Sequence, residues 1–423
     1  MWYYDYNASY PARMVEGVDG KGNYPFPGSF AYREKGTLFQ VEEYDGICHA
    51  KIKAPYSYFP ILSWRSEKLL NPYGTFEGWF TNHELRMAMD EGYEVKPGKM
   101  ILYFETFKPF KEAVLYLYKL RQKYKLEQNP FEQLVKLLMN GGLFGKWGTN
   151  FMKMEELIAE DKISFDKNGT AVVDGEVLKK YKMNQVLVSR NKEMDSPAYS
   201  FPILSEYTTM LGRVKLWKDC KPYFKYLSMN DTDSALMTKP CFESSNELGD
   251  FKLEAVIDEA MIIRPKLYAK RRSLEYRKDE KDDGWDTKSK GVGRFLKGHD
   301  KFFKGIEEGH VEMSRFMRMR EGFRADIKPG SVIVFDKKIN TEDDKRDWKG
   351  QSFSMSDWQD SEPIKVIEGC LPRDVLKAQQ EELDRKLKEK RSIMHSDLFD
   401  LKSKGYDISD DEYFKNETDY HDF

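Results

Sequence analysis

Two aspartates, Asp231 and Asp233, stand one residue apart in KYLSMNDTDSALMTK, residues 225–239, between two apolar runs. Asn and Asp favour turns, so a solvated hairpin tip accounts for the pair taken alone. A third acid, Asp5, ends the aromatic run at the start of MWYYDYNASYPARM, which reads as a short strand stopped by Pro11. In QNPFEQLVKLLMNGGLFGKWG, the residues Gln133, Lys136, Asn140 and Phe144 share one helix face. The apolar stripe Phe131, Leu134, Val135, Leu138 and Met139 occupies another. Gly141 and Gly142 then follow. Mid-helix glycines cost roughly 1 kcal/mol each relative to Ala. They make sense where something must approach the backbone closely, or where a helix simply frays. Acids on separate strands, facing a lysine and an amide, suit two-metal phosphoryl transfer. Two divalent ions ~3.5–4 Å apart need carboxylates from more than one strand, and the lysine and amide suit a triphosphate. A cation between Asp5 and Asp233 would relieve their repulsion.

Elements must bring these residues together. TNHE is a capping box, with Thr81 and Glu84 opening the helix HELRMAMDEGYEV. A second helix runs over residues 111–126, and Asn129-Pro130 starts a third. The stretch GTLFQVEEYDGICHAKI reads as β-type, and Asn168-Gly169 as a hairpin turn. FPILSEYTTMLGRVKLWKD reads as a helix leading into the Asp231/Asp233 hairpin, residues 373–393 as a charged helix, and the acidic tail as poorly ordered.

The 423 residues are 40% hydrophobic and 33% charged, a globular composition long enough for several subdomains. The net charge of −2 gives no sign of a polyanionic partner, but its distribution is uneven. Residues 264–301 carry 13 Lys/Arg against 7 Asp/Glu, and residues 397–423 carry 9 acids against 3 bases. Four cysteines without a CxxC pair and six histidines without HExxH spacing argue against a disulfide framework or a zinc site. No apolar run approaches the ~20 residues of a membrane helix, and no signal-peptide pattern opens the chain. A cytoplasmic location is expected.

These segments resemble the motifs of family B DNA polymerases. DYNASYPARM is similar to motif A, KLLMNGGLFGK to motif B, NDTDS to motif C, PKLYAK to the Lys-x-Tyr motif and KSKGVGRF to the segment leading into the thumb. YPARM and LGDFKLE look most like the protein-primed branch of phages and linear plasmids. The resemblance covers about residues 1–300. It implies an α+β fold of palm, fingers and thumb around an antiparallel palm sheet. Asp5 and Asp233 would ligate two Mg²⁺ ions, for which Mn²⁺ can substitute, with Asp231 assisting and the Tyr6 carbonyl as a further ligand. Ser9 and Tyr10 would meet the nucleotide, Tyr10 excluding a 2′-OH. Lys136, helped by Arg121, would grip the triphosphate, while Asn140 and Phe144 would flank the nascent base pair. Lys266, Tyr268 and Lys290 would hold primer DNA.

The implied organisation is palm at 1–14 and 199–263, fingers at 106–150, and primer-binding segment with thumb at 264–372. Insertions fall at 15–105, resembling the terminal-protein-binding region, and at 151–198; a charged helix and acidic tail occupy 373–423. Motif B has Gly141 and Phe144 where the family has Ser and Tyr, and motif C has Met229 in place of its Tyr. Family members carry a 3′–5′ exonuclease domain before motif A, and only four residues precede Asp5 here. The expected function is therefore template-directed DNA synthesis from dNTPs on a primer 3′-OH or a terminal-protein hydroxyl, in viral or plasmid replication. The chain reads as the polymerising subunit of a split enzyme whose exonuclease lies on a second polypeptide. The alternative is an inactive or accessory DNA-binding replication factor, which would be expected to have lost a carboxylate. No membrane partner is expected.

Overall fold

Strand β1 (Trp2–Tyr6) shows how alternation sets up the fold. Successive side chains of a strand point to opposite faces, so Tyr4 and Tyr6 share one face and Tyr3 and Asp5 the other. Tyr4 and Tyr6 are buried against Phe251, with Tyr6 stacked on that ring at 3.9 Å. Burying side chains of this kind contributes roughly 1.5–3 kcal/mol each, which anchors the strand and leaves Asp5 on the opposite face. The structure, a computed structural model, describes residues 1–370 apart from 67, 149–153, 160–161, 166, 168–170, 174–175, 178–180, 184–186, 193–199, 278, 280–281, 294, 318–330, 352 and 356–358.

Helix α1 (Ser9–Glu16) follows at once. Pro11 does not stop a strand, as its position in the sequence suggested; it lies in the first turn of α1, where a missing N–H leaves no hydrogen bond unmade. A separate antiparallel sheet comes next. Its strands are β2 (Phe30–Arg33), β3 (Asp45–Ala54), β4 (Tyr73–Thr81) and β5 (Glu94–Tyr103), in the order β4-β3-β5-β2, and Lys365–Val366 joins β4 in parallel. The stretch expected to be wholly β is split. Its first part is helix α2 (Leu38–Glu43), opened by a capping box between Thr37 and Gln40, and only the second part is β3. The Thr81/Glu84 box does open α3 (Asn82–Asp90).

Helix α4 (Lys111–Leu126) matches the expected span. Helix α5 (Phe131–Leu137) begins with Asn129 Oδ1 accepting from the Phe131 amide at 3.0 Å. It then widens into a π-helix over Leu138–Gly145. The strand pair Ser164–Phe165 and Ala171–Val173 is antiparallel, as a hairpin requires, while its Asn168-Gly169 turn lies outside the described residues. So do residues 373–393 and the acidic tail.

Helix α6 (Pro202–Cys220) is the central support. Leu204, Tyr207, Met210 and Val214 pack with Met14, Tyr24, Phe110 and Val114, joining α1 to α4. Leu216 and Cys220 pack beneath Tyr4 and Tyr6. The main sheet adds β6 (Leu227–Asp231), β7 (Ser234–Met237), β8 (Phe251–Arg264), β9 (Leu267–Arg272) and β10 (Trp285–Ser289). Its order is β6-β7-β1-β8-β9-β10, antiparallel throughout. Helix α7 (His299–Glu308) closes a further core with Ile263, Leu267, Leu296 and Ile339. No described helix is long and apolar enough to cross a membrane.

Candidate active site

Asp5 lies between Ser234 of β7 and Lys252 of β8 in the sheet register. The β6–β7 connection is only Thr232-Asp233. The Asp233 amide donates to the Asp231 carbonyl at 2.8 Å, and Thr232 has a φ of 67°. This is the strained γ-turn form, unusual for a β-branched residue. Strain of this kind persists where surrounding structure enforces it, typically at functional sites. The Tyr6 amide donates to the Asp233 carbonyl at 3.0 Å, so the hairpin tip is tied to the end of β1. Past Tyr6, the Asn7 amide donates to the Asp250 carbonyl and the Gly249 amide to the Asn7 carbonyl. Gly249 has a φ of 87°, and a Cβ there would meet Ala12 and Arg13 of α1, which explains the glycine in LGDFKLE.

Asp5 and Asp233 therefore face a shared space. Burial, then the charges of Asp233 and Glu254, push the Asp5 carboxyl up to about 7, with Lys270 and Lys136 opposing. Burial also raises Asp233, against the pull of Lys266. The pair fits a hard divalent cation, because oxygen donors of like charge are stabilised when an ion neutralises them. Asp231, expected to assist the metals, has partners of its own on the next hairpin. Its Oδ1 pairs with Lys266 Nζ at 2.5 Å, and its Oδ2 accepts from the Tyr268 hydroxyl at 3.2 Å. Among the described residues no group of three or more His, Cys, Asp or Glu side chains is arranged to hold an ion. Asp5 and Asp233 are the two carboxylates that could share an ion here, and Asp231 is a partner of the Lys-x-Tyr segment. The Tyr6 hydroxyl is held by Asp219 at 2.5 Å, and Asp219 by Lys215, which fixes the backbone that carries the Tyr6 carbonyl.

Tyr10, near the start of α1, packs over Gly212 of α6, where an added Cβ would be 3.4 Å from its ring. Its hydroxyl is raised by burial and then by the Asp233 charge, which places Tyr10 beside the acid pair. Ser9 is buried next to it. Lys136 acts electrostatically on Asp5 from α5, and Asn140 Nδ2 donates to the Lys136 carbonyl at 3.0 Å. Phe144 belongs to the π-helix, and its side chain lies outside the described residues. A π-helix turns more slowly per residue than an α-helix, so the single α-helical face expected for Gln133, Lys136, Asn140 and Phe144 does not continue past Leu137. Arg121, expected to help Lys136, is engaged with Glu132 at 2.9 Å and braces α4 against α5. Lys266 and Lys290 line a cleft of about 600 Å³ with Lys288 and Lys297, one acid (Asp286) and Trp285.

Three residues escaped the sequence reading. Glu254 is the extra residue of a β-bulge in β8 opposite Tyr3/Tyr4, and its charge reaches Asp5. Asp219 anchors Tyr6 from α6. Lys270 is 9% exposed, with Nζ 2.8 Å from the Tyr3 ring centroid. Only Lys270 had a visible signal, the alternation Tyr268-x-Lys270 that puts both on one strand face.

Comparison with solved structures gives the fold. Phi29 DNA polymerase in an orthorhombic crystal form matches with a TM-score of 0.53 and 18% identity, covering 80% of this chain and 58% of that one. The same polymerase complexed with primer-template DNA and incoming nucleotide substrates matches with a TM-score of 0.52 and 18% identity, over 81% and 57%. The fold is thus the right-hand polymerase fold, with a curled antiparallel palm sheet. A probable DNA polymerase of Ascobolus immersus is 27% identical over 281 residues, covering 63% of this chain and 22% of that protein. One of Podospora anserina is 24% identical over 334 residues, covering 71% and 27%. The chain spans about a quarter of the length of these relatives. The family model for DNA polymerase type B, organellar and viral, matches residues 1–210, the stretch that carries Asp5, Tyr10 and Lys136.

Proposed function

We propose that the chain catalyses template-directed nucleotidyl transfer from dNTPs to a primer 3′-hydroxyl, as a DNA-directed DNA polymerase of the organellar and viral type. The observation that carries the reading is the Asp5–Asp233 pair, held near the end of β1 and in the hairpin turn tied to it, faced by Lys136 and flanked by a lysine-lined cleft. In the reaction the primer oxygen attacks the α-phosphorus, the bond to the bridging oxygen breaks, and pyrophosphate leaves. Asp5 and Asp233 would hold Mg²⁺ or Mn²⁺, which when bound lowers the pKa of the attacking hydroxyl and neutralises charge on the phosphate oxygens. Lys136 would stabilise the leaving pyrophosphate and donate a proton to it. Asn140 supports the Lys136 turn, with Phe144 on the same segment for the nascent base pair. Tyr10 packs where a 2′-OH would arrive. Lys266, Tyr268 and Lys290 grip the primer strand.

Residues 15–105 are read as the insertion on which a priming protein docks. Their own sheet and the exposed aromatics Phe30 and Tyr32 on its edge strand support this. Primer extension with Mg²⁺ tests the activity. Wild type should extend a primed template, whereas Asp5→Ala and Asp233→Ala should bind the DNA and not extend it. Substantial extension by Asp233→Ala would remove Asp233 from the metal-holding role, and a wild type that binds the DNA without extending it would leave an accessory DNA-binding role as the better reading.

A further inference from the structure

Strand β9 and the turn that precedes it present a cation, a phenol and a second cation toward the acids. Lys266 pairs with Asp231, Tyr268 donates to Asp231, and Lys270 lies on the ring of Tyr3. Tyr3 and Asp5 are two residues apart on one face of β1, so the contact with Tyr3 puts the Lys270 ammonium on the Asp5 side of the sheet. Burial pulls the Lys270 ammonium down to about 7, and the charges of Asp286, Asp5 and Glu254, in that order, act to keep it protonated. Asp286 stands opposite Lys270 in the register and adds a third acid to its surroundings. A lysine this buried costs free energy unless it is paired. An apolar side chain would fill the space against Tyr3 without that cost, so the charge itself needs a reason.

We infer that Lys270 is a positioning residue that acts as the built-in counter-ion of Asp5, holding this carboxylate beside Asp233 when no metal is bound and competing with the divalent ion for it. This inference rests on the assignment of Asp5 and Asp233 as the metal-holding pair. A competing cation lowers metal affinity, so its removal should raise that affinity, which a residue serving only to pack the sheet would not do.

The test is direct Mn²⁺ binding to the full chain without DNA or nucleotide, read from the EPR signal of free Mn²⁺, with Asp5→Asn subtracted to isolate the site. Lys270→Met keeps the length and removes the charge; it should bind Mn²⁺ about tenfold more tightly, a modest share of the repulsion between a divalent ion and a nearby unit charge. Lys270→Arg should bind close to wild type, and Lys270→Gln should repeat the Lys270→Met result if the latter folds poorly. The gain should vanish when Lys270→Met is combined with Asp5→Asn. Asp5-dependent binding that is equal in wild type, Lys270→Met and Lys270→Gln would overturn the inference alone. Mn²⁺ binding that never depends on Asp5 would overturn it together with the metal assignment.

Discussion

Lys266 Nζ donates to Thr232 Oγ1 at 2.7 Å, and the two residues have φ values of 65° and 67°. Two hairpin tips, each with a non-glycine residue in the left-handed region, are thus clasped by one hydrogen bond. Pro265-Lys266 is the two-residue connection of β8 to β9, and a type II turn with proline first requires positive φ at its second central residue. Glycine would suit the backbone better. Lysine is there because its ammonium reaches Asp231 and Thr232 across the sheet.

Replacing Lys266 therefore separates backbone from side-chain effects. Lys266→Ala keeps the strained backbone and removes the Asp231 partner, and it should cost about 1–2 kcal/mol once discounted for the solvent exposure of Lys266. Lys266→Gly removes the same partner but accepts the backbone, and it should be more stable than Lys266→Ala by about 1 kcal/mol. Denaturant midpoints decide this. Equal midpoints for the two variants would show that the turn carries no strain.

Asp5 supplies a pH prediction for the metal-free protein. Its folded-state pKa of about 7 lies above the ordinary 3.8, so between these values the folded protein holds a proton that the unfolded chain has released. Stability from this group is present at low pH and is lost as pH rises toward and through 7. Asp5→Asn removes the penalty. Its gain in stability over wild type should be near zero at pH 4 and largest at pH 8, amounting to at most a few kcal/mol. Thermal melts with a chelator check this, and a gain that does not change with pH would contradict the buried acid pair.

Tyr10→Val should raise ribonucleotide incorporation relative to deoxynucleotide incorporation. Gly212 leaves the Tyr10 ring a flat support on α6, so the ring cannot yield easily to a 2′-OH. Single-nucleotide extension with matched dNTP and rNTP measures the ratio. An unchanged ratio would remove Tyr10 from the role of sugar gate.

Neutralising Lys288, Lys290 and Lys297 together should weaken primer-template binding equally for unrelated sequences. The slope of log affinity against log salt should fall by about one unit for each cation that meets a phosphate. Titrations at several salt concentrations give the slope. If it is unchanged, the cleft does not hold DNA.

Much of this protein was legible without coordinates because its signals are local. Thr81 and Glu84 open α3, residues 111–126 form α4, and the DTD segment makes a hairpin beside the strand of Asp5. Capping, periodicity and turn preference act over a few residues, so the sequence carries them openly. The Thr37/Gln40 box that makes α2 was a signal of the same kind, overlooked among β-forming neighbours. What only the tertiary structure decided are the long-range partners. Asp231 turns to Lys266 and Tyr268, Arg121 is committed to Glu132, Tyr6 is anchored by Asp219, and Lys270 comes to lie on Tyr3. The Asp231 and Lys270 contacts depend on how the bulged strand β8 sets β9 beside β1, and the other two on how α4, α5 and α6 pack. The charge of a side chain is written in the chain, but the opposite charge it meets is set by the packing of segments tens to hundreds of residues away.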